Sequence, residues 1–268
     1  MNTDARVIGS TRLYAIIGDP IAQVRSPETI NARFASAGVD ALLFPAHVTE
    51  DRFEPAVRGL MSLANLDGLV ITVPHKARTM AMATQLEEGA RVVGAINVLR
   101  RERDGSWTGA MFDGAGMVQA FHTKEARLEG RTVILYGAGG AGSAIACSLS
   151  EAGVKSIDFV DPMKERIAGL TGRLKDAFPN CRFGTVDSWQ ARFDMIVNAS
   201  PVGMYGNDAM PGEIGSLKPD TIVGDVVVRE RPTPLIQHAS AQGCLSVTGR
   251  DMHAGQIDAI LRFFGFDA

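Results

Sequence analysis

The stretch TVILYGAGGAG, residues Thr132–Gly142, decides the fold of this 268-residue chain. A run of β-forming apolar residues leads directly into glycines at positions 137, 139 and 142, the pattern G-x-G-x-x-G. In that pattern Gly137 permits a tight turn, Gly139 lets a pyrophosphate approach the backbone, and Gly142 lets the next helix pack closely. A helix predicted over 143–150 would point its N-terminal N–H groups at the anion. We therefore predict dinucleotide binding, with a purely structural glycine turn as the alternative.

Apolar strand patterns recur after the glycine-rich stretch and are separated by helical segments such as 166–178. The predicted strands cover 156–161, 181–186, 194–200, 221–228 and 245–248. This alternation predicts an α/β fold with a doubly wound parallel sheet, the Rossmann architecture. The first 112 residues alternate in the same way and include the hairpin signal Asp104-Gly105. They predict a mixed, mostly parallel sheet covered by helices.

Two domains follow from this pattern, with a small-molecule site expected in a cleft between them. The substrate-binding and catalytic domain is predicted to cover 1–112, with a C-terminal helix over 250–268 packing back on it. The dinucleotide-binding domain would cover 113–249. The stretch Asp113-Gly114-Ala115-Gly116 is interpreted as a hinge-like break before a helix over 117–122. In the final helix, apolar residues recur at helical spacing at positions 257, 260, 261 and 264, which predicts one buried face.

Composition excludes several classes of protein. The net charge of −3 and the isoelectric point of about 6.0 do not favour nucleic acid or an anionic membrane as a partner. No apolar run reaches the ~18 residues of a membrane span, and no signal-peptide core is evident. Three scattered cysteines and five histidines without ligand spacing predict reduced thiols and no metal site. We expect a cytoplasmic protein, monomeric or homodimeric, that binds a small molecule.

Asp161 bears on the choice of cofactor because it ends the strand that follows the glycine-rich helix. A carboxylate there can accept a hydrogen bond from an adenine-ribose hydroxyl and would repel a 2′-phosphate. Lys164 and Arg166 follow closely and could hold such a phosphate, which keeps NADP open. The sequence thus favours NAD over NADP. The alternative interpretation of Asp161 is a cap on the next helix.

Two charged residues in the first half are candidates for chemistry. Lys76 follows an apolar strand in T-V-P-H-K, and partial burial would lower its pKa into a range useful for proton transfer. Asp113 stands where the first half ends. Taken alone, both are more readily interpreted as ordinary loop residues. His75 and His253 have no partner pattern and are interpreted as ordinary polar residues, and Ser26 before Pro27 is interpreted as a helix N-cap.

Taken together, these motifs resemble the shikimate/quinate dehydrogenase family along essentially the whole chain. The resemblance is carried by segments in the family's order: GDPIAQVRSP (18–27), TVPHK (72–76), GAINV (94–98), FDGAG (112–116), GAGGAG (137–142), NASPVGM (198–204), RPTPLI (231–236) and Gln256. It implies reversible, nicotinamide-dependent oxidation of a ring hydroxyl of shikimate, quinate or a related cyclic hydroxy acid.

The resemblance also implies roles for individual residues. The family's catalytic pair falls on Lys76, which takes or returns the hydroxyl proton, and on Asp113, which orients Lys76 and helps to set its charge. The substrate-binding positions are Ser26, Thr72, Asn97 and Gln256. The predicted cofactor-binding residues are Gly137, Gly139, Gly140, Ala141, Gly142, Asp161, Asn198, Ser200, Val202 and Met204.

The chain departs from the family's pattern around the substrate. Where the family usually has His-Ser, this chain has Gln23-Val24, so one of two carboxylate-binding hydroxyls is missing. Apolar residues also replace polar ones at Val70 and Val228, and Met111-Phe112 stand in place of Asn-Thr. Arg25 could hold a carboxylate in another geometry. An atypical dehydrogenase is expected, and the alternative is a catalytically silent, dinucleotide-binding regulatory protein of the same fold.

Overall fold

The computed structural model describes residues 7–189, 192–204 and 207–266 of the chain. It divides into two compact units. The first unit contains the chain up to Met111 and again from Ile257 onward, and the second contains Phe112–Gln256.

The first unit is a six-stranded mixed sheet covered by helices, in the order β2-β1-β3-β5-β6-β4. The strand β1 pairs in parallel with β2 and β3, and β4 pairs in parallel with β6, whereas β5 is antiparallel to both of its neighbours. Short 3₁₀ helices lie at Glu50–Arg52 and Arg78–Met82. The elements are β1 Arg12–Gly18, α1 Ser26–Ser36, β2 Ala41–His47, α2 Phe53–Met61, β3 Leu66–Ile71, β4 Gln85–Leu86, α3 Glu88–Val93, β5 Val98–Arg101 and β6 Trp107–Ala110.

The second unit is a parallel six-stranded sheet in the order β9-β8-β7-β10-β11-β12. Counted from its first strand this is 3-2-1-4-5-6, the doubly wound order, and the predicted fold class is confirmed. Its elements are α4 Asp113–Thr123, β7 Thr132–Tyr136, α5 Gly140–Glu151, β8 Ser156–Val160, α6 Lys164–Ala177, β9 Arg182–Thr185, β10 Met195–Asn198, β11 Ile222–Asp225, α7 Pro234–Ala241, β12 Leu245–Val247 and α8 Gly249–Phe263.

The predicted hinge at 113–116 is wrong, because α4 already begins at Asp113. A β-carbon on Gly114 would overlap the carbonyl oxygen of Ala144 in α5. One on Gly116 would lie 2.6 Å from the carbonyl oxygen of Met252 in α8. These glycines therefore let three helix backbones approach each other. They do not provide a flexible break.

The same close packing explains how the last helix is divided. A β-carbon on Gly255 would overlap the carbonyl oxygen of Gly116, so the first half of α8 is joined to α4. The unit boundary accordingly follows Gln256 and does not precede residue 250 as predicted. In the second half, the apolar face is buried as expected, and the Phe264 ring lies 4.7 Å from that of Tyr14. Residues 267 and 268, the end of the predicted helix, lie outside the described residues.

Three general features bear on function. Among the helices that the structure describes, none is both long enough and apolar enough to cross a membrane. Within the same residues, no three His, Cys, Asp or Glu side chains are grouped so that they could hold a metal ion. The three cysteines are buried and form no disulfide bond with one another, and burial raises the pKa of the Cys181 and Cys244 thiols.

Candidate active site

The first unit carries a loop over Thr72–Lys76 that leaves the carboxyl end of β3. The Thr72 N–H donates to the Ile17 carbonyl (2.9 Å), and the His75 N–H donates back to the Thr72 carbonyl (3.0 Å). A β-carbon on Gly18 would overlap the Thr72 methyl group, so glycine is required there. The ends of β1 and β3 are thereby held together, with Thr72 between them.

Lys76 and Asn97 lie at the same edge of this sheet. The Ile96 N–H donates to the Lys76 carbonyl (3.0 Å), and the Ile71 N–H donates to the Asn97 carbonyl (2.7 Å). Asn97 is buried, and Lys76 is half-buried. The structure thus brings three predicted residues, Thr72, Lys76 and Asn97, to the point where β3 ends and β5 begins.

His75 anchors this loop, a role that the sequence analysis missed. Its ring is fully buried, and Nε2 lies 2.6 Å from the Val48 carbonyl oxygen, so Nε2–H is the donor. It stacks against Phe53 at 4.8 Å between ring centroids, and the Arg78 guanidinium lies 4.7 Å from the same ring. Arg78 also donates to the Glu50 carbonyl (2.9 Å). The residues on either side of Lys76 are therefore tied to the segment before α2.

Ser26 is not the helix cap that the sequence predicted. It is the first residue of α1, preceded by Arg25 in the cap position, and no side chain caps the helix. The Ser26 side chain is buried, and within the described residues its hydroxyl has no hydrogen-bond partner. A hydroxyl with unused donor and acceptor capacity is suited to a polar ligand. Arg25 instead binds the carboxylate of Glu28 at the surface, with N–O distances of 2.9 and 3.1 Å.

In the second unit, the glycine-rich loop is shaped by the backbone. Gly137 has φ of +98°, and a β-carbon there would lie 2.9 Å from the Ala199 carbonyl oxygen. A β-carbon on Gly142 would overlap the Gly137 carbonyl oxygen. Both glycines are thus required by the protein itself, as predicted for the turn and for the close packing of α5.

Gly139 is different, because a β-carbon there would meet no protein atom within 4 Å. Its φ of −76° and ψ of −167° are also allowed to any residue. Nothing within the described protein therefore requires glycine at this position. Helix α5 begins at Gly140, so the N–H groups of Gly140 and Ala141 are among those that a helix N-terminus leaves for an anion. The loop has the form that a pyrophosphate requires.

Asp161 lies directly after β8 and binds the loop. Its Oδ2 accepts from the Ala138 N–H (2.7 Å), and its Oδ1 accepts from the Met163 N–H (2.8 Å). It therefore fixes both the glycine-rich loop and the approach to α6. Each carboxylate oxygen can still accept a second hydrogen bond.

The 198–204 loop is organised by a buried polar network around Asn198. The Asn198 Nδ2 donates to the Val202 carbonyl and to Asp225 Oδ1 (both 3.1 Å), and Oδ1 accepts from the N–H and the hydroxyl of Ser200 (3.1 and 2.7 Å). All four hydrogen-bonding positions of this amide are used inside the protein. Asn198 thus holds the shape of the loop, in which Gly203 has φ of +93° and the half-buried Met204 follows.

Asp225 and Thr233 complete this network and were not singled out from the sequence. The Thr233 hydroxyl donates to Asp225 Oδ2 (2.6 Å), and the Val227 N–H donates to Oδ1 (3.0 Å). Burial raises the pKa of Asp225, although these donors and Asn198 act in the opposite direction. The sequence signal that could have identified Thr233 is Thr233-Pro234, a pattern typical of a helix start. Thr233 is the N-cap of α7 and accepts a hydrogen bond from the Ile236 N–H.

Asp113 and Gln256 also lie in the second unit. Asp113 is buried in the first turn of α4, where the helix dipole favours a negative charge. Gly116, one turn later, packs against α8, and a β-carbon there would lie 2.8 Å from the Gln256 β-carbon. The structure therefore brings Asp113 and Gln256 to one crossing of helices.

The second unit is a doubly wound sheet with this glycine-rich loop, and the first unit presents a lysine, a threonine and an asparagine at a strand end. Together these features define a two-domain dinucleotide-dependent dehydrogenase. A family profile for the shikimate dehydrogenase substrate binding domain matches residues 16–99. The chain is 34% identical to a shikimate dehydrogenase (NADP(+)) of Rubrobacter xylanophilus, over 92% of this chain and 88% of that protein. The chain belongs to the shikimate/quinate dehydrogenase family.

Solved structures agree with this assignment. Shikimate 5-dehydrogenase of Listeria monocytogenes, in complex with shikimate and NAD, superimposes with a TM-score of 0.87 at 27% identity, covering 97% of this chain and 93% of that one. The 5-ketofructose reductase of a Gluconobacter strain gives 0.85 at 26%, covering 96% and 94%. The predicted family and the predicted enzyme class, an NAD(P)-dependent dehydrogenase, are confirmed. Because the relatives include both NADP(+) and NAD, they support a nicotinamide cofactor of either kind.

Proposed function

We propose that this protein catalyses reversible hydride transfer between a nicotinamide dinucleotide and a secondary hydroxyl of a cyclic hydroxy acid of the shikimate and quinate type. The main observation in support of this proposal is the grouping of Thr72, Lys76 and Asn97 at the end of β3. These residues supply one proton carrier and two hydroxyl-binding groups. A bound nicotinamide supplies or accepts the hydride. Lys76 takes the hydroxyl proton in oxidation and returns it in reduction.

The remaining proposed roles follow the family's pattern. Asp113 orients Lys76 and helps to set its charge. Thr72 and Asn97 bind the reacting ring's hydroxyl groups, Gln256 binds the substrate, and the hydroxyl of Ser26 binds its carboxylate. The glycine-rich loop and the Asn198–Met204 loop bind the dinucleotide, with Asn198 acting through the loop's shape.

NAD is the proposed cofactor. Asp161 keeps two acceptor directions after binding Ala138 and Met163, and a ribose diol can use them. The same charge would repel a 2′-phosphate. Asp161 also fixes the glycine-rich loop. Rotating its carboxylate away from a bound phosphate would cost free energy, because both of its hydrogen bonds to backbone N–H groups would be lost.

A second substrate class, a polyhydroxy ketone without a carboxylate, is favoured by one observation. The half-buried Val24 stands where the family has a carboxylate-binding serine, and Arg25, the residue that could replace it, is already paired with Glu28. A carboxylate left one hydrogen bond short is bound less tightly by ~1–3 kcal/mol. The similarity to the 5-ketofructose reductase supports testing such ketones.

The deciding experiment follows nicotinamide absorbance with NAD or NADP against shikimate, quinate, other cyclic hydroxy acids and, in the reductive direction, keto sugars. We expect turnover of a cyclic hydroxy acid, with NAD preferred over NADP. Turnover of keto sugars alone supports the second class. No turnover with either cofactor, together with intact NAD binding by calorimetry, contradicts the proposal and favours the catalytically silent alternative.

A further inference from the structure

The end of the 198–204 loop is held by Arg229, a residue of the segment that joins β11 to α7. Its Nη1 donates to the Gly203 carbonyl oxygen (3.1 Å), and its Nη2 donates to the Asp208 carboxylate (2.9 Å). One planar guanidinium therefore contacts both the loop and the segment that follows it. A lysine ammonium, which is a point charge, does not reproduce this geometry.

The two contacts of Arg229 have different surroundings. The side chain of Arg229 is 21% exposed, whereas that of Asp208 is 74% exposed, and an ion pair with so exposed a carboxylate is screened by water. Gly203, in contrast, is buried, and a β-carbon there would lie 3.4 Å from the Thr233 methyl carbon. Because a charged donor strengthens a hydrogen bond, the contact with the Gly203 carbonyl is the one that can fix the loop.

Arg229 also acts on the buried polar network at the other end of the loop. Burial raises the pKa of Asp225, and the charge of Arg229 acts in the opposite direction. A nearby cation favours the ionised carboxylate, which is the form that accepts hydrogen bonds from both Asn198 and Thr233. Arg229 therefore supports the loop directly at Gly203 and, through Asp225, at Asn198.

We infer that Arg229 is a positioning residue for cofactor binding, which keeps the 198–204 loop in the shape that receives the dinucleotide. The inference rests on the proposed function, in which this loop binds the dinucleotide. Arg229 acts through the Gly203 carbonyl and through Asp225, without a contact of its own to the ligand. The resemblance to the family implied no role for this position.

The first test is hydrogen exchange of the ligand-free protein, measured by mass spectrometry. In Arg229→Met, which loses the guanidinium, the amides of the 198–204 loop should exchange about tenfold faster than in the wild type. Amides of β8 should be unchanged, which separates loosening of the loop from general destabilisation. The matched control is Arg231→Met, because Arg231 is exposed, belongs to the same segment and forms no ion pair within the described residues. Unchanged exchange of the loop in Arg229→Met, or equal acceleration in β8, overturns the inference.

The second test measures binding of NAD or NADP, whichever the wild type binds more tightly. Arg229→Met should raise the Kd from calorimetry and the KM for the dinucleotide about tenfold, whereas kcat and the KM for the hydroxy acid should change less than about twofold. Arg229→Lys should give an intermediate Kd, because it keeps the charge near Asp225 but cannot donate to Gly203 and Asp208 together. This variant also carries the test if Arg229→Met does not fold.

The control and the contradicting outcomes are distinct. Arg231→Met removes the same charge from the same segment and should keep the wild-type Kd, which separates positioning from long-range attraction of an anionic ligand. A wild-type Kd in Arg229→Met or in Arg229→Lys overturns the inference, as does an equal rise in both KM values. A wild-type protein that binds neither NAD nor NADP contradicts the proposed function instead.

Discussion

The glycine-rich loop of the second unit and the Thr72–Lys76 loop of the first are held in place by different means. Close backbone contacts shape the glycine-rich loop, where Gly137 packs on Ala199 and Gly142 on Gly137 itself, and the Asp161 side chain adds one hydrogen bond. The Thr72–Lys76 loop has backbone hydrogen bonds too, but it is anchored by side chains, chiefly His75 and Arg78 on the ring of Phe53. The spacing of the glycines therefore predicts the glycine-rich loop. The shape of the Thr72–Lys76 loop depends on single side chains that follow no repeating pattern.

In the proposed function, the glycine-rich loop binds the cofactor and the Thr72–Lys76 loop faces the substrate. A loop built from backbone can bind a pyrophosphate, which every dinucleotide carries, through its N–H groups. A loop secured by side chains can carry a new reacting group or lose a polar contact without refolding. Of the departures from the family's pattern, Val24, Val70 and Met111 fall in the first unit, whereas Phe112 and Val228 fall in the second.

Removing Lys76, the proposed proton carrier of the first unit, should have the largest effect. We expect Lys76→Ala to lower kcat by about 100-fold or more, the usual scale for a lost acid–base group, with little loss of thermal stability because the side chain is half-buried. Lys175→Ala, on an exposed face of α6, is the matched control and should keep full activity. Wild-type turnover by Lys76→Ala would remove the proposed mechanism.

The two kinds of glycine in the second unit should respond in opposite ways. Gly142→Ala forces a β-carbon into the Gly137 carbonyl oxygen and should cost about 1–3 kcal/mol of folding free energy. Gly139→Ala meets no protein atom, so its melting temperature should stay close to that of the wild type while the KM for the dinucleotide rises. Thermal unfolding and cofactor titration of the pair separate the two effects. Equal destabilisation by both substitutions would contradict the assignment of Gly139 to the ligand.

A smaller effect is expected at Asp161, which binds the glycine-rich loop and is proposed to select between NAD and NADP. Asp161→Ala removes an acceptor for the ribose and the charge that disfavours a phosphate, and the ratio of kcat/KM for NAD to that for NADP should fall about tenfold or more. The control is Asp158→Ala, because Asp158 lies on β8 three residues before Asp161 and accepts a hydrogen bond from Arg192. If both cofactors lose efficiency equally, Asp161 acts only by fixing the glycine-rich loop.

Sequence patterns were sufficient where periodicity or glycine spacing carries the information. The strand order of the second unit, the hairpin of β5 and β6, and the buried face of α8 all follow from such patterns. They were insufficient where packing against a segment far away along the chain determines the local structure. Gly114 and Gly116 read as a hinge because α5 and α8, the helices that they contact, are not visible from the local sequence.

The same limit applies to the polar residues of the candidate site. Asp225 gains its importance from hydrogen bonds with Asn198 and Thr233, which belong to other segments of the chain. Ser26 precedes a proline and reads as a cap, yet the helix begins at Ser26 itself and leaves its hydroxyl for another partner. Residue type alone does not predict what each of these side chains contacts.

The smallest expected effect concerns the substrate and separates its two candidate classes. Val24→Ser restores the second carboxylate-binding hydroxyl and should lower the KM for shikimate about fivefold, the value of one neutral hydrogen bond of ~1 kcal/mol. Val7→Ser, at an exposed position of the same unit, should leave that KM unchanged. An unchanged KM for shikimate in Val24→Ser, together with turnover of keto sugars by the wild type, would instead mean that the protein selects a ketone without a carboxylate. The apolar Val24 would then be part of that selection, because a valine there leaves a carboxylate underbound and costs an uncharged ligand nothing.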